Sequence, residues 1–489
     1  MLEKDDGVET SELEQYRICA ACIGEEFLKA KVQSDGESAG CFYCRNEQKT
    51  ISIGELADAF ESVFEDHFCR TPDEPSGLEY TMMNDPESHY EWERVGERVT
   101  DVIVSTAEIE ETPAEHVRLV LDERHYDIED AKMGQESPFD SEAHYEEKGP
   151  EDHELLSNWS YFQKSLKTEA RLFNREAQGI LDSIFEGLTE HTTREGNPVI
   201  VDAGPGQPIA QFFRARVFQS GDKLEAALMR PDKEIGPPPS FAAIAGRMNA
   251  RGISVFYGAT DPVVALAEVR PPVGSRVAVA RFELIRPVRL LDVEALRSIY
   301  VTGSFFDRSY IRRLEKARFL GWLSDRIIMP VMPEDEASDY LVTQAIADYL
   351  ANRTEPAIDG LIYRSIQNGD GGLNVALFYK SSRVEMLNIP EGTEIKASLD
   401  SWTDEGLETD YHVWEETPPE KPKENESEND LSFPALHFAQ MQNPDDDLRV
   451  RTLRLDVTTL QVHHVNSVTF GTVPFTVPRR RSAKREHKF

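Results

Sequence analysis

Apolar residues in the first two hundred positions keep the period of a helix. Leu56, Phe60, Val63, Phe64 and Phe68 recur three or four residues apart and predict an amphipathic helix. Phe162, Leu166, Phe173, Ala177, Ile180, Leu181, Ile184 and Leu188 extend the same spacing and predict one long helix, ended near Gly187. Between them, from Pro72 to Glu154, acid is dense and the apolar runs are chiefly "VTDVIVSTA" and "HVRLVL". That stretch reads as helices joined by exposed loops. The stretch "DAGPGQP", Asp202–Pro208, is a Pro/Gly boundary, and the texture changes beyond it.

Short strand-like runs follow: "QFFRARVF", "GISVFYGA", "SRVAVARFEL", "VRLLDV", "DGLIYRSI" and "NVALFYK". Helical patterns fall between them at Pro262–Val269, Asp307–Leu323 and Tyr340–Asn352. Short strands mixed with helices predict an α+β domain, preceded by a mainly helical one. "WEETPPEKPKENESEND" is charged and Pro-rich and reads as a disordered linker or surface insertion. The runs "RTLRLDVTTLQVHHV" and "SVTFGTVPFTV" predict two last strands before the basic tail "PRRRSAKREHKF". The expected organisation is a zinc-knuckle pair over 1–50 and an acidic, mainly helical domain over 51–200. A mixed domain over 205–412, a linker over 413–433 and C-terminal strands with the tail over 434–489 complete it.

Charge separates the same segments. The chain of 489 residues has a formal charge of −36, and residues 1–200 carry 18 basic against 48 acidic side chains. Phosphate would be repelled there, so a general nucleic-acid binder is not expected. Residues 201–380 are balanced at 22 to 21 and are rich in arginine, which suits an anionic small molecule. No run of about 18 apolar residues exists and the N-terminus is acidic, so neither a membrane span nor a secretory leader is expected. A cytoplasmic location follows as the simplest expectation.

Cys19, Cys22, Cys41 and Cys44 form two C-x-x-C pairs, a spacing that can place four thiolates tetrahedrally around Zn²⁺. Four cysteine ligands leave no open coordination position, so the metal is expected to be structural. The Gly-rich segment before Cys41 is expected to supply the knuckle's turn. Cys69 is left over and reads as a small hydrophobe. His116, His125, His144 and His153 have no spacing that links them to a metal or nucleophile, and no Arg-x4-His pair of an RNA-cleaving kind is present.

The balanced middle segment holds a compact constellation. Arg214 and Arg216 share a strand face, and Arg247 and Asn249 follow Gly246 in a turn. Ile253, Val255 and Tyr257 are expected on one strand face. Thr260 or Asp261 caps a helix with Pro262 in its first turn, and Glu268 lies two turns on. Ser365 shares a face with Leu361 and Tyr363, and the turn "NGDGG" leads to Asn374. Each of these residues has an ordinary structural use. Together they allow a pocket with guanidinium groups, an aromatic and one carboxylate.

The segments "FFRAR", "GRMNARGISVFYGATDPVVALAEVRP", "YLVTQAIADYL" and "DGLIYRSIQNGDGGLNVALFY" resemble the RES domain, over about residues 209–380. The family is one of bacterial toxins with a fold similar to ADP-ribosyltransferases. The resemblance implies consumption of NAD⁺ as a phosphorylase or glycohydrolase, with transfer of ADP-ribose to a protein as the alternative. It implies catalytic roles for Arg214, Tyr257 and Glu268. NAD⁺-binding roles go to Arg247 and Ser365, with Arg216 the candidate beside Arg214 and with Asn249 and Asn374 from the same motifs. Inorganic phosphate as co-substrate and an antitoxin protein as partner are further implications. The cysteine-bearing front half is similar to the HEPN-like region of longer family members. A non-catalytic nucleotide-binding module is the reading from outside enzymology.

Overall fold

The computed structural model describes residues 9–85, 87–170, 173–329, 336–352, 355, 357–365, 372–404, 406–419, 447–469 and 471–479. Most of the expected linker, the turn at 368–371 and the basic tail beyond 479 lie outside these residues. The chain divides into two compact units. One comprises Met1–Asn197 with Ala295–Arg326, and the other Pro198–Glu294 with Ile327–Phe489.

The first unit is mainly helical. Ser52 and Glu55 form a reciprocal capping box that starts the helix Ile53–His67, which buries Leu56, Phe60, Val63 and Phe64 as the spacing predicts. The helices Val99–Ala107 and Glu111–His125 arise from the two apolar runs. A single core joins Leu13 and Ile18 to Phe60, Val102, Leu121 and Phe306, so residues 1–50 and 51–200 do not have separate cores. The predicted long helix is two helices, His153–Thr168 and Arg175–Phe185. Phe173 sits at φ 60° and is fully exposed. Asn174 then accepts the Ala177 N–H at 2.9 Å and starts the second helix. The cap outcompetes an apolar period that had only one solvent-facing member to lose.

The second unit is built on a sheet of eight described strands. Its order is Leu453–His464, Arg276–Leu284, Gln211–Phe218, Phe256–Ala259, Leu373–Leu377, Gly360–Arg364, Val288–Asp292 and Ile200–Ala203. Val288–Asp292 runs parallel to Gly360–Arg364, and the other pairs are antiparallel. The result is a large mixed sheet with helices, in agreement with an α+β class. Phe212, Phe256, Phe282, Leu290 and Leu377 are fully buried in one of its cores.

Three expectations fail in this unit. "GISVFYGA" is strand only from Phe256, because the Asn249 amide takes the Ile253 carbonyl at 2.9 Å and the Ser382 hydroxyl takes the Ser254 carbonyl. Side-chain donors thus occupy acceptors that a ladder would need. Within "SVTFGTVPFTV" the described residues form no strand, and Val473, Phe475 and Val477 are exposed. Instead, Glu394–Thr403 and Gly406–Glu416 pair as a hairpin, so the strand runs through the start of the expected linker. Among the described residues no helix is long and apolar enough to cross a membrane.

Candidate functional site

The sheet opens where Gln211–Phe218 meets Phe256–Ala259, since only Phe213 pairs with Ala259 there. Arg214 spans this opening. Its Nε donates to the Ile235 carbonyl at 2.8 Å and its Nη1 to the Tyr257 carbonyl at 2.6 Å. Burial, helped by the neighbouring charge of Arg216, brings the guanidinium down to about 10, still cationic at neutral pH. Nη2 keeps its hydrogens free of any partner among the described residues. Arg216 points elsewhere: it pairs with Glu234 at 3.1 Å and stays outside the cavity that Arg214 lines.

Across the opening, Tyr257 faces Ala376 in register, while Ala259 faces Asn374 and Asn374 faces Tyr363. Opposed residues and next-but-one residues share a face, so Tyr257, Asn374 and Tyr363 stand on one side of the sheet. Asp261 accepts the Val263 N–H at 2.7 Å and caps the helix Pro262–Glu268, as the sequence predicts. This helix ends on Glu268, whose Oε1 accepts the Asn374 amide at 2.5 Å. Tyr363 is pushed up to about 12 by burial and then by the Glu268 charge, so it is a neutral phenol.

The Gly246–Asn249 turn supplies the second arginine. Gly246 N–H donates to the Asn249 carbonyl at 2.9 Å. A Cβ on Gly246 would lie 2.7 Å from Asn249 Oδ1 and 2.9 Å from the Tyr257 hydroxyl, which accounts for glycine. Arg247 donates from Nη1 to the Ile327 carbonyl at 2.9 Å and presents its remaining N–H groups without described partners. Asn249 is buried and does not line the cavity. Its amide holds the carbonyls of Ile244 and Ile253, and its Oδ1 accepts the Tyr257 hydroxyl at 2.8 Å. That hydroxyl accepts in turn from the Met248 N–H at 3.0 Å. Burial raises the Tyr257 phenol far above its ordinary value.

Tyr257→Phe therefore leaves a buried amide oxygen and a backbone N–H unpaired. We expect a loss of about 1–3 kcal/mol of stability, read by denaturant unfolding. A loss under about 0.5 kcal/mol would mean that water or a shifted Asn249 replaces the hydroxyl.

Arg214, Arg247, Tyr257, Glu268 and Asn374 thus line one cavity of about 340 Å³, together with Tyr340 and Tyr363. Ser365 does not line it. It follows the strand end, is buried, and its Oγ has no partner among the described residues, as is also true of Asn374 Oδ1. Sequence reasoning gave Tyr363 no role in the site, although its spacing from Ser365 placed it on the right face. It gave Tyr340 none either, because only the fold brings that helix to the cavity.

The four cysteines converge separately, within the first unit. Cys19 closes the strand Arg17–Cys19, Cys22 ends the turn Ala20–Cys22, and Cys41 follows the strand Glu37–Gly40. All four sulfurs lie within 4.8 Å of one another. The segment before Cys41 is strand; the tight turn comes after it, with Arg45 at φ 64° and its N–H on the Cys41 carbonyl. Burial and a neighbouring thiol push Cys19 and Cys22 up, while the Asn46 N–H brings Cys44 down to about 7. The set could hold a metal ion, whose charge would favour the thiolate form of all four.

No curated protein and no solved structure matches the chain. The match that exists is to a domain: residues 213–400 fit the family model of the RES domain, a stretch that contains every residue lining the cavity and that at the family level carries NAD⁺-related, toxin-like enzymology.

Proposed function

We propose that the chain cleaves the bond between nicotinamide and ribose in NAD⁺, passing ADP-ribose to water or to inorganic phosphate. The observation that carries this reading is Glu268, held by Asn374 on the same cavity that presents the unshared N–H groups of Arg214 and Arg247. A carboxylate and two guanidinium groups on one cavity suit a ligand with a cationic end and a diphosphate.

Nicotinamide leaves with the bonding electron pair and becomes neutral, so positive charge develops on the ribose C1 and ring oxygen, as in glycoside cleavage. Glu268 stabilises that charge electrostatically. Arg214 and Arg247 hold the diphosphate through paired N–H donors. Tyr257, neutral and fixed by Asn249, offers its ring to the nicotinamide. Asn374 Oδ1 is a free acceptor for a ribose hydroxyl; Ser365, outside the cavity lining, is tied by its N–H to the Gly372 carbonyl at the foot of the Asn374 strand and keeps an unpartnered Oγ. Water as acceptor yields ADP-ribose, and phosphate yields ADP-ribose-1″-phosphate. In the same reading Zn²⁺ is the ion of the four cysteines, holding a HEPN-like front half that regulates or targets the enzyme. The chain then acts as a cytoplasmic toxin-like enzyme, with an antitoxin as its natural partner.

The test is to incubate purified full-length protein with NAD⁺, with and without phosphate, and to identify products by mass. A product that gains phosphate means phosphorolysis, ADP-ribose alone means hydrolysis, and an adduct on protein means transfer. Unchanged NAD⁺ removes the enzymatic reading. Arg247→Lys is expected to weaken ADP-ribose binding by roughly tenfold, because lysine keeps the charge and loses the planar fork. Calorimetry at two salt concentrations checks it, and unchanged affinity would reduce Arg247 to a loop tie.

A further inference from the structure

The helix Glu336–Asn352 lends two adjacent side chains to the Gly246–Asn249 turn. Gln344 Nε2 donates to the Gly246 carbonyl at 2.9 Å and to the Asn249 carbonyl at 2.9 Å. An amide nitrogen has two hydrogens, and here both go to the two ends of one turn. Thr343 Oγ1 donates to the Arg247 carbonyl at 2.6 Å. Both side chains are buried, Thr343 at 9% and Gln344 at 7% exposure. Three carbonyls of a four-residue turn are therefore held from one helix. The Arg247 guanidinium is held independently by the Ile327 carbonyl.

We propose that Thr343 and Gln344 are positioning residues for anion recognition: they fix the Arg247 backbone so that its free N–H groups meet a diphosphate without a cost in ordering the turn. This rests on the NAD⁺ reading for its ligand, and on the hydrogen bonds alone for its geometry. Neither side chain lines the cavity, so neither touches the substrate. A loop arginine left to wander would spend part of its binding energy on being ordered; an arginine fixed beforehand does not. The effect belongs to binding rather than to the bond-breaking step, because Glu268 stands on a different helix and is held by Asn374.

The experiment compares Thr343→Val, Thr343→Ser and Gln344→Met in the full-length chain, with ADP-ribose as the binding probe and NAD⁺ turnover in parallel. Thr343→Val and Gln344→Met are expected to raise KM and the ADP-ribose Kd by roughly tenfold, with kcat within about twofold. Thr343→Ser keeps the hydroxyl and should behave as wild type. Combined with Arg247→Lys, Gln344→Met should add little, because both changes remove one interaction. Wild-type KM in both hydroxyl- and amide-deleted variants, or full additivity with Arg247→Lys, overturns the proposal. A fall in kcat at unchanged KM does so too. If wild-type protein neither binds ADP-ribose nor consumes NAD⁺, the functional reading has failed. The amide exchange of Gly246 and Asn249 then decides the clamp alone: faster exchange in Gln344→Met upholds it, and unchanged exchange removes it.

Discussion

Glu268→Gln should abolish NAD⁺ cleavage and leave the fold intact. The substitution is close to isosteric, and a glutamine oxygen can still accept the Asn374 amide that the Glu268 carboxylate accepts now. What it removes is the negative charge beside the developing cation. Losing such a stabiliser costs about 3 kcal/mol or more, a hundredfold or greater in kcat. The unfolding midpoint should hardly move, since Glu268 is exposed at the end of its helix and packs little of its own surface. Turnover within about threefold of wild type, at a normal unfolding midpoint, would remove Glu268 from the chemistry.

The second large effect concerns the Zn²⁺ proposed for the four cysteines. Cys41→Ser/Cys44→Ser should release one Zn²⁺ per chain and melt the Cys19–Cys44 region. Metal-coupled folding of small modules is worth roughly 10 kcal/mol, comparable to the whole stability of a typical domain. The loss should spread, because Ile18, Ala20 and Ile23 beside the cysteines belong to the same core as Phe60 and Leu121. Elemental analysis gives the stoichiometry, and circular dichroism with and without chelator gives the structural cost. Metal-replete wild type with no zinc, or a double variant with unchanged structure, would refute the site. These measurements need the whole chain. Ala295–Arg326 belongs to the first unit, where Phe306 packs on Phe60 and Phe319 on Trp159. A chain cut near Asp202 would strip that segment of its partners.

Much of the site was legible in the sequence because its signals are local. The Asp261 cap, Pro262 and Glu268 lie within one short helix, and the Gly246–Asn249 turn carries its own glycine and amide. The paired C-x-x-C spacing likewise needs no tertiary knowledge. What the sequence hid was long-range. Asn249 looked like a ligand residue, yet its amide is spent on the carbonyls around it. Arg214 and Arg216 were equivalent by strand parity, and Glu234 separates them by pairing with Arg216. From a helix about ninety residues downstream, Tyr340 reaches the cavity and Thr343 and Gln344 reach the Gly246–Asn249 turn. The long helix expected to Gly187 failed because periodicity does not register a cap such as Asn174. The strand expected after Asn466 failed because alternation alone does not provide a partner strand.

The most direct test of the account is nicotinamide release from NAD⁺ by wild-type protein and by Glu268→Gln, purified and assayed side by side. Wild type should release nicotinamide in amounts equal to the ADP-ribose or ADP-ribose-1″-phosphate formed, and the variant should release it at least about a hundredfold more slowly. Equal release by the two proteins, or none by a folded, metal-replete wild type, would contradict the account.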